Sequence, residues 1–261
     1  MKFRSVKEFL KEDIIDKVAF RINREKAVPV MVYQMGKVGS SSIYHPLKKV
    51  YPGVVVHTHQ FNQTAWYWEV RKLHQLFYAK KQSAFKIISL IREPIGRNVS
   101  EFFHRSLQYA NTDFKDSNID VAKVLKLFLE NLDHDFPLDW FDNNFKKHFG
   151  IDVYQKAFPK EGYAQFEKGE VQVLLLKHDL ADELKAQLIN QFIGIQNFEI
   201  QVRNVGSKKP YKAAYKKFKA EATMPEAYLE KMLASKYFQH FYNQEKEQKV
   251  RADWVKKSTI Y

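Results

Sequence analysis

The chain has 261 residues, of which 45% are hydrophobic and 15% aromatic; this is enough for a substantial core and excludes a disordered protein. Its 43 basic and 30 acidic side chains give a formal net charge of +13, which favours anionic ligands such as nucleotides, acidic glycans, nucleic acids or anionic lipids. The sequence contains no cysteine, which excludes disulfides and thiolate zinc sites, and no uncharged apolar run long enough to span a membrane.

The first 27 residues predict an amphipathic helix with basic side chains between its apolar positions. The apolar positions are Phe3, Val6, Phe9, Leu10, Ile14, Val18 and Ile22. We expect this helix to dock on the domain; peripheral contact with an anionic membrane surface is the alternative. The segment has frequent charges and no secretory-signal pattern, so we expect a cytoplasmic protein.

Residues 30–43, with the sequence VMVYQMGKVGSSSI, predict a strand, a short loop and the start of a helix. Lys37 lies between Gly36 and Gly39, and three serines follow. Glycines let a backbone turn tightly near an anion, while serine hydroxyls, the free N–H groups of a helix start and a lysine bind it. The pattern therefore predicts a phosphate-binding loop, with an ordinary strand-turn-helix as the alternative.

The order of residues in this loop separates it from the common nucleotide-binding loop of NTPases. In that loop the lysine directly follows the second glycine, whereas here Lys37 precedes Gly39 and the hydroxyl pair Ser40-Ser41 follows it. The resulting K-x-G-S-S order resembles the 5′-phosphosulfate loop of sulfotransferases that use 3′-phosphoadenosine 5′-phosphosulfate (PAPS).

A second short strand at residues 54–56 ends in His57-Thr58-His59. Ligands of open parallel sheets bind outside the carboxyl ends of the strands, so we expect both histidines to face the same crevice as Lys37. Two surface or core histidines are the alternative. No third ligand lies nearby in the sequence, so a metal site is not predicted.

A third strand at Phe85–Ile91 ends at Arg92, and Glu93-Pro94 begins a second helix that carries Ser100. An arginine at a strand tip can bind a phosphate through two hydrogen bonds, and a serine on the next helix adds a donor. This segment resembles the 3′-phosphate motif of the same sulfotransferases, R-[DN]-P with a serine at this interval. Glu93 departs from the usual Asp or Asn.

The resemblance to PAPS-dependent sulfotransferases implies a role for each matching residue. Lys37 would contact the 5′-phosphate and the bridging oxygen, and Arg92 and Ser100 would hold the 3′-phosphate. Arg97 is either a helper there or a surface ion pair. His59 would be the catalytic base and His57 its support. Further backbone and hydroxyl donors would come from Val38, Gly39, Ser40, Ser41 and Ser42.

Beyond residue 110 the sequence predicts mainly helices, including segments at 121–132, at 138–148 and from about 182, and two short ones between 237 and 254. It also predicts a turn or hairpin at 162–169, a strand at 171–176 with Lys177-His178-Asp179 at its tip, and an edge strand at 198–202. The basic loop at 203–210 occupies the place of a loop that closes over the 3′-phosphate in sulfotransferases.

The region from Trp140 to Tyr154 and the C-terminal tail are similar to a bacterial family labelled "putative capsular polysaccharide synthesis protein", itself sulfotransferase-like. We expect that narrower resemblance to cover nearly all of the chain. The predicted fold is α/β: a P-loop-like three-layer domain with a central, mainly parallel sheet flanked by helices. One domain, 1–261, would consist of an N-terminal helix (1–27), an α/β core (28–206) and a C-terminal helical extension (207–261).

The predicted function is transfer of a sulfuryl group from PAPS to an acceptor hydroxyl, with release of 3′,5′-ADP and without a metal. A carbohydrate acceptor follows from the narrower resemblance. One alternative is a nucleotide kinase or NTPase, which needs a Mg²⁺-binding acidic residue at a strand end. The first three strand tips have none, and Asp179 keeps that alternative open. The other is a non-catalytic protein that binds anions or, less favoured, nucleic acid.

Overall fold

The computed structural model describes residues 6–115, 118–201 and 209–255, with side chains from residue 16 onward. Its strands form one five-stranded sheet in the order β2-β1-β3-β5-β4. Neighbouring strands are parallel except for the β4–β5 pair, which is antiparallel. The predicted mixed α/β fold with a mainly parallel central sheet and flanking helices is therefore confirmed. The strands are β1 (Val30–Tyr33), β2 (Val55–Thr58), β3 (Phe85–Ile91), β4 (Tyr163–Lys168) and β5 (Val171–Lys177).

The described helices follow the order expected from the sequence. They are α1 (Val6–Lys26), α2 (Ser41–Val50), α3 (Trp68–Tyr78), α4 (Pro94–His104), α5 (Ser106–Ala110), α6 (Val121–Asn131), α7 (Phe136–Phe141), a π-helical turn (Asp142–Lys146), α8 (Lys147–Phe149), α9 (Asp182–Ile193), α10 (Lys212–Glu221), α11 (Glu226–Leu233), α12 (Lys236–Phe241) and α13 (Gln244–Trp254). The predicted helix at 138–148 is thus interrupted by the π-helical turn.

The three central strands are apolar because both of their faces are covered. All four residues of β1 are buried, and five of the seven positions of β5 are buried as well. In the register, Val32 of β1 pairs with His57 of β2 and Ile88 of β3, and Ile88 pairs with Leu174 of β5. Because these four strands are parallel, their carboxyl ends meet at one edge of the sheet.

The predicted edge strand at 198–202 is wrong. Residues 198–201 form no strand. The two edge strands of the sheet are β2 and β4, and β4 connects to β5 through a tight turn at Gly169 and Glu170. Alternating apolar residues favoured a strand at 198–202, but the N–H and C=O of buried Phe198 bond to the side chain of Asn190 instead. Its backbone polar groups are satisfied without a neighbouring strand.

The N-terminal helix is present as predicted, but its described half does not dock through the predicted apolar stripe. Val18 and Ile22 of that stripe are 52% and 48% exposed. Phe20 is buried instead, and its ring lies 5.1 Å from that of Trp68. Across the described ranges, none of the helices combines the length and the hydropathy needed to cross a bilayer.

The C-terminal helices support the tip of a central strand. Tyr237 of α12 is fully buried, and its hydroxyl donates a 2.9 Å hydrogen bond to the carbonyl oxygen of Arg92, directly after β3. The ring of Tyr237 stacks on that of Phe141 in α7. The position of Arg92 therefore depends on helices more than 40 residues further along the chain as well as on its own strand.

Candidate functional site

A cleft of about 1170 Å³ opens at the edge where the parallel strands end. Its walls come from the segments that follow β1, β2, β3 and β5 and from helices α4 and α10. The structure brings every sequence-predicted site residue into this cleft, and their chemical roles remain predictions. These residues are Lys37, Val38, Gly39, Ser40, Ser41, Ser42, His57, His59, Arg92 and Ser100.

Two arginines fix the backbone of the loop after β1. Arg92 donates a hydrogen bond of 2.7 Å from Nη1 to the carbonyl oxygen of Lys37, and Arg97 donates one of 3.2 Å from Nε to that of Gly36. Lys37 itself has a left-handed backbone with φ of 72°, and Gly39 follows with φ of 90°. A non-glycine residue pays about 1–2 kcal/mol for this conformation, so the structure around Lys37 must hold it in place.

The charge around Lys37 is positive and only partly compensated. Loss of solvent, together with nearby Lys209, Arg92 and Arg97, lowers the pKa of Lys37 from its usual 10.5 to about 8, although Glu101 opposes this. Within the described ranges the Lys37 ammonium has no carboxylate partner. A cluster of cations with too few anions binds a polyanionic ligand favourably, because the ligand removes their mutual repulsion.

The three serines of the loop differ in what they can offer a ligand. The Ser42 hydroxyl donates to the carbonyl oxygen of Gly39 at 2.7 Å, and Ser40 shares a 2.8 Å hydrogen bond with Nε2 of His57. Ser41, the first residue of α2, makes no side-chain hydrogen bond to any residue that the structure describes. Ser41 is therefore the hydroxyl donor of this loop that is left for an anion.

The second predicted phosphate-binding motif, Arg92 with Ser100, lies where β3 leads into α4. Glu93 caps this helix, because its carboxylate accepts hydrogen bonds from the backbone N–H groups of Ile95 and Gly96 at 2.9 and 2.6 Å. Glu93, which stands where the sulfotransferase motif has Asp or Asn, therefore still accepts backbone hydrogen bonds. Ser100, two turns along, faces the cleft, as does Arg92.

The sequence left Arg97 as a helper in phosphate binding or a surface ion pair, and the surface ion pair is wrong. Arg97 is only 4% exposed and its guanidinium lies 4.8 Å from the centre of the Phe136 ring. Its nearest carboxylate contact is Glu101 at 4.0 Å. Together with its bond to Gly36, this makes Arg97 a residue that positions the loop.

The two histidines after β2 have different hydrogen-bond states. Nδ1 of His59 lies 2.6 Å from the carbonyl oxygen of Gln34, and a carbonyl can only accept, so Nδ1 carries the proton. Nε2 of His59 then has a free lone pair and faces the cleft. Nε2 of His57 is instead bonded to Ser40, and its ring stacks on Tyr44.

Burial and neighbouring charges set the pKa values of these histidines. Loss of solvent, followed by His59 and His45, lowers the pKa of His57 to about 4. The cleft walls also lower the pKa of His59 by removing solvent, while its bond to Gln34 and the nearby Glu101 raise it. Both rings are therefore neutral at pH 7, the state in which an imidazole can accept a proton.

Among the residues that line the cleft and that sequence reasoning did not select as site residues are Glu101, His178 and Lys209. His178 lies at the tip of β5, close to Gly39, and the strand-end rule that selected His59 could have found it. Lys209 belongs to the basic loop predicted at 203–210, most of which lies outside the described residues. No sequence signal indicated that the Glu101 carboxylate would face this cleft.

The alternative function of a kinase or NTPase requires an acidic residue that binds Mg²⁺ in the cleft, and two acidic residues follow β5 closely. Asp179, the acidic residue at the tip of β5, forms an ion pair of 2.8 Å with Lys246 and does not line the cleft. Asp182 does line it and pairs with Lys185 at 2.8 Å. In the part of the chain that the structure describes, no group of three or more His, Cys, Asp or Glu side chains is placed to hold a metal ion.

Comparison with protein-family models finds one match, over residues 114–243, to a family described as "Putative capsular polysaccharide synthesis protein". This stretch is just under half of the chain. It contains the region from Trp140 to Tyr154, so the narrower resemblance is confirmed there, whereas the expected extension over nearly the whole chain is not part of the match. The match is consistent with a glycan-related transferase.

Comparisons with curated proteins and with solved structures found no match. Lys37, His59 and Arg92 all precede the matched residues. Their roles therefore depend on the geometry of the cleft and on the two local motifs.

The left-handed backbone of Lys37 predicts a conflict between stability and ligand binding at this position. Replacing Lys37 with glycine removes the backbone strain and the crowded charge, so we expect Lys37→Gly to raise the free energy of unfolding by about 1 kcal/mol. The same variant should lose affinity for polyphosphate ligands. Urea denaturation at pH 7 measures the first effect, and a ligand titration measures the second.

Lys80 provides the matched control, because it also has a left-handed backbone, with φ of 55°, but is exposed and lies outside the cleft. Lys80→Gly should relieve strain alone, giving a smaller gain in stability and no change in ligand affinity. A Lys37→Gly protein less stable than the wild type would contradict this interpretation.

Proposed function

We propose that the protein is a PAPS-dependent sulfotransferase that transfers a sulfuryl group to a carbohydrate hydroxyl and releases 3′,5′-ADP. The observation that carries the proposal is that Lys37 and Arg92, the cations of the two predicted phosphate-binding motifs, are joined in one cleft. Lys37 and Arg92 follow adjacent parallel strands, and a 2.7 Å hydrogen bond links the Arg92 guanidinium to the Lys37 backbone. A ligand with phosphates at both ends of an adenosine matches that charge distribution.

In this proposal the domain is P-loop-like, and each end of the nucleotide has its own donors. Lys37 and the hydroxyl and backbone N–H of Ser41, the first residue of α2, bind the 5′-phosphosulfate. Arg92 and Ser100 bind the 3′-phosphate, since arginine can form paired hydrogen bonds to phosphate oxygens. Lys209, which already lowers the pKa of Lys37 by its proximity, adds charge on the open side.

His59 is the proposed catalytic base. Its Nδ1–H is committed to Gln34, so Nε2 presents a lone pair to the cleft, whereas Nε2 of His57 is occupied by Ser40. His57 is the supporting residue, since its ring packs against that of His59 at 4.9 Å between centroids. A general base with a pKa near or below neutrality contributes about 10²–10⁴-fold to rate.

The proposed reaction is an in-line displacement at sulfur. The acceptor oxygen forms a bond to sulfur as the bond between sulfur and the bridging phosphate oxygen breaks, and the hydroxyl proton moves to Nε2 of His59. Negative charge grows on the leaving 5′-phosphate, and Lys37 stabilises that charge most strongly in the transition state. The family description, which concerns capsular polysaccharide synthesis, supports a carbohydrate as the acceptor.

The first prediction from this proposal is a binding preference for a 3′-phosphate. Saturating 3′,5′-ADP, at about 100 times its dissociation constant, should stabilise the protein by about 2.7 kcal/mol, which corresponds to several degrees in Tm. 5′-AMP should give a smaller shift, and ATP should not gain from Mg²⁺. Arg92→Ala should weaken binding of 3′,5′-ADP by about 10–100-fold, as expected for the loss of charge-assisted hydrogen bonds to the 3′-phosphate. It should also weaken 5′-AMP, but less, because the loop after β1 loses its bond from Arg92 and keeps the one from Arg97.

Lys212→Ala is the matched control, because Lys212 is a cation that lines the same cleft on α10. It should weaken all three nucleotides slightly and equally. A Mg²⁺-dependent preference for ATP would favour the kinase or NTPase function instead. Equal, strongly salt-dependent binding of all nucleotides would favour a non-catalytic anion binder.

The second prediction is a bell-shaped pH dependence of kcat/KM. As pH falls through the pKa of His59, the base becomes protonated, and because that pKa lies below the ordinary 6.5, the acid limb should lie below pH 6.5. As pH rises through the pKa of Lys37, the ammonium loses its charge, so the alkaline limb should lie near pH 8. Arginine stays protonated, so Lys37→Arg should lose the alkaline limb while keeping the acid limb. An alkaline limb near pH 8 that persists in Lys37→Arg would contradict this assignment.

A further inference from the structure

Glu101 is a buried carboxylate in a cleft whose lining is rich in cations. It lies on α4 directly after Ser100, is only 7% exposed and lines the cleft. Its Oε1 lies 3.0 Å from Nε of Arg105, and Arg97 is 4.0 Å from Oε2. A buried carboxylate beside a phosphate-binding site opposes binding of the nucleotide, so its placement requires another explanation.

The free oxygen of Glu101 lies close to the proposed base. A side-chain carbon built on Gly36 would be 3.8 Å from Oε2 of Glu101 and also 3.8 Å from Nε2 of His59. Oε2 of Glu101 and Nε2 of His59 are therefore no more than twice 3.8 Å apart. Because residue 36 is a glycine, the space between them is open to the cleft.

Hydrogen-bond chemistry restricts what can fill this space. Neutral His59 with its proton on Nδ1 offers an acceptor at Nε2, and the Glu101 carboxylate is an acceptor as well. One hydroxyl has one proton and cannot donate to both. Two hydroxyls on adjacent carbons can, since two hydrogen bonds of about 2.7–2.8 Å joined by the short distance between such hydroxyls reach across any separation up to that limit.

We propose that the acceptor presents a vicinal diol of a sugar ring to His59 and Glu101. The hydroxyl that is sulfated donates to Nε2 of His59, and its neighbour donates to Oε2 of Glu101. The inference rests on the proposed function and deepens it by naming the acceptor class and the residue that selects it. Phe136, which is 39% exposed and also lines the cleft, offers an apolar surface for the ring.

The negative charge of Glu101 has two further effects on the acceptor. It disfavours an acceptor with a carboxylate next to the reacting hydroxyl, because two anions would be brought together. It also favours the protonated form of His59 that exists after the proton transfer. Uncharged sugars with adjacent hydroxyls are therefore the preferred acceptors, and phenols and isolated alcohols are not.

The test uses methyl glycosides of common hexoses and their monodeoxy analogues, which lack one of two adjacent hydroxyls. With PAPS, the wild type should prefer the intact glycoside by about 10–100-fold in kcat/KM, the effect of one hydrogen bond to a charged group. Glu101→Gln should reduce this preference to within a few-fold. It should also move the acid limb of the pH profile to lower pH, because Glu101 raises the pKa of His59. The shift of the acid limb reports only the charge of Glu101 near His59, whereas the loss of the diol preference reports its contact with the acceptor.

Gly36→Ala provides a steric test that leaves the charges in place. The added carbon meets both neighbours at ordinary contact distance, so the variant should fold, and it should lose more affinity for the glycoside than for 3′,5′-ADP. Saturation-transfer NMR on the complex with 3′,5′-ADP measures that loss without turnover. Arg105→Gln is the control for the ion pair: it removes the partner of Glu101 but keeps the carboxylate, so the diol preference should persist.

The outcomes separate this inference from the proposed function. If the wild type fails to bind 3′,5′-ADP, the proposed function fails and the inference with it. If 3′,5′-ADP binds but the wild type sulfates deoxy glycosides or simple phenols as well as intact glycosides, only the inference is overturned. The absence of saturation transfer to any glycoside, or an unchanged diol preference in a folded Glu101→Gln protein, overturns it as well.

Discussion

The hydrogen bond from the Arg92 guanidinium to the Lys37 carbonyl is the interaction on which the site depends. It ties the tip of β3 to the loop after β1, and it helps to hold Lys37 in a left-handed conformation that a lysine adopts only under constraint. The same bond brings two cations close together. The cleft thus stores both backbone strain and charge repulsion, and an anion can relieve the repulsion.

Two parts of the fold, the parallel sheet and the C-terminal helices, position the residues of the site. The parallel strands bring Lys37, His59 and Arg92 to one edge of the sheet. The C-terminal helices support that edge from behind, since the Tyr237 hydroxyl bonds to the Arg92 carbonyl. The residues that match the capsular polysaccharide family, 114–243, include this supporting tyrosine and Phe136 of the cleft wall, whereas both proposed phosphate grips lie before the match.

Local sequence patterns were sufficient to place the two predicted phosphate-binding motifs and the histidines in one cleft. Each of these residues follows an apolar strand, and in a parallel sheet all strand ends meet at one edge, so Lys37, His59 and Arg92 could be placed together without knowledge of the packing. The same rule also selects His178, which directly follows β5. Glu101 and Arg97 could not be placed in this way, because whether a charged helix residue faces solvent or a cleft depends on how the helix is rotated against its neighbours.

The wrong strand at 198–202 and the wrong docking face of α1 also arise from tertiary contacts that the local sequence does not show. An alternating apolar pattern predicted a strand at 198–202, but the Asn190 side chain satisfies the backbone of Phe198. The apolar stripe of α1 suggested a docking face, yet Val18 and Ile22 are exposed and Phe20 makes the contact with Trp68. In both cases a distant residue, invisible to local periodicity, decides which side of the segment is used.

A crystal structure of the complex with 3′,5′-ADP tests the proposed geometry most directly. The account predicts that the 5′-phosphate lies within hydrogen-bonding distance of the Lys37 ammonium and of the hydroxyl and backbone N–H of Ser41, and that the 3′-phosphate contacts Arg92 and Ser100. A nucleotide bound with neither phosphate at Arg92, or bound outside the cleft at the strand ends, would contradict it.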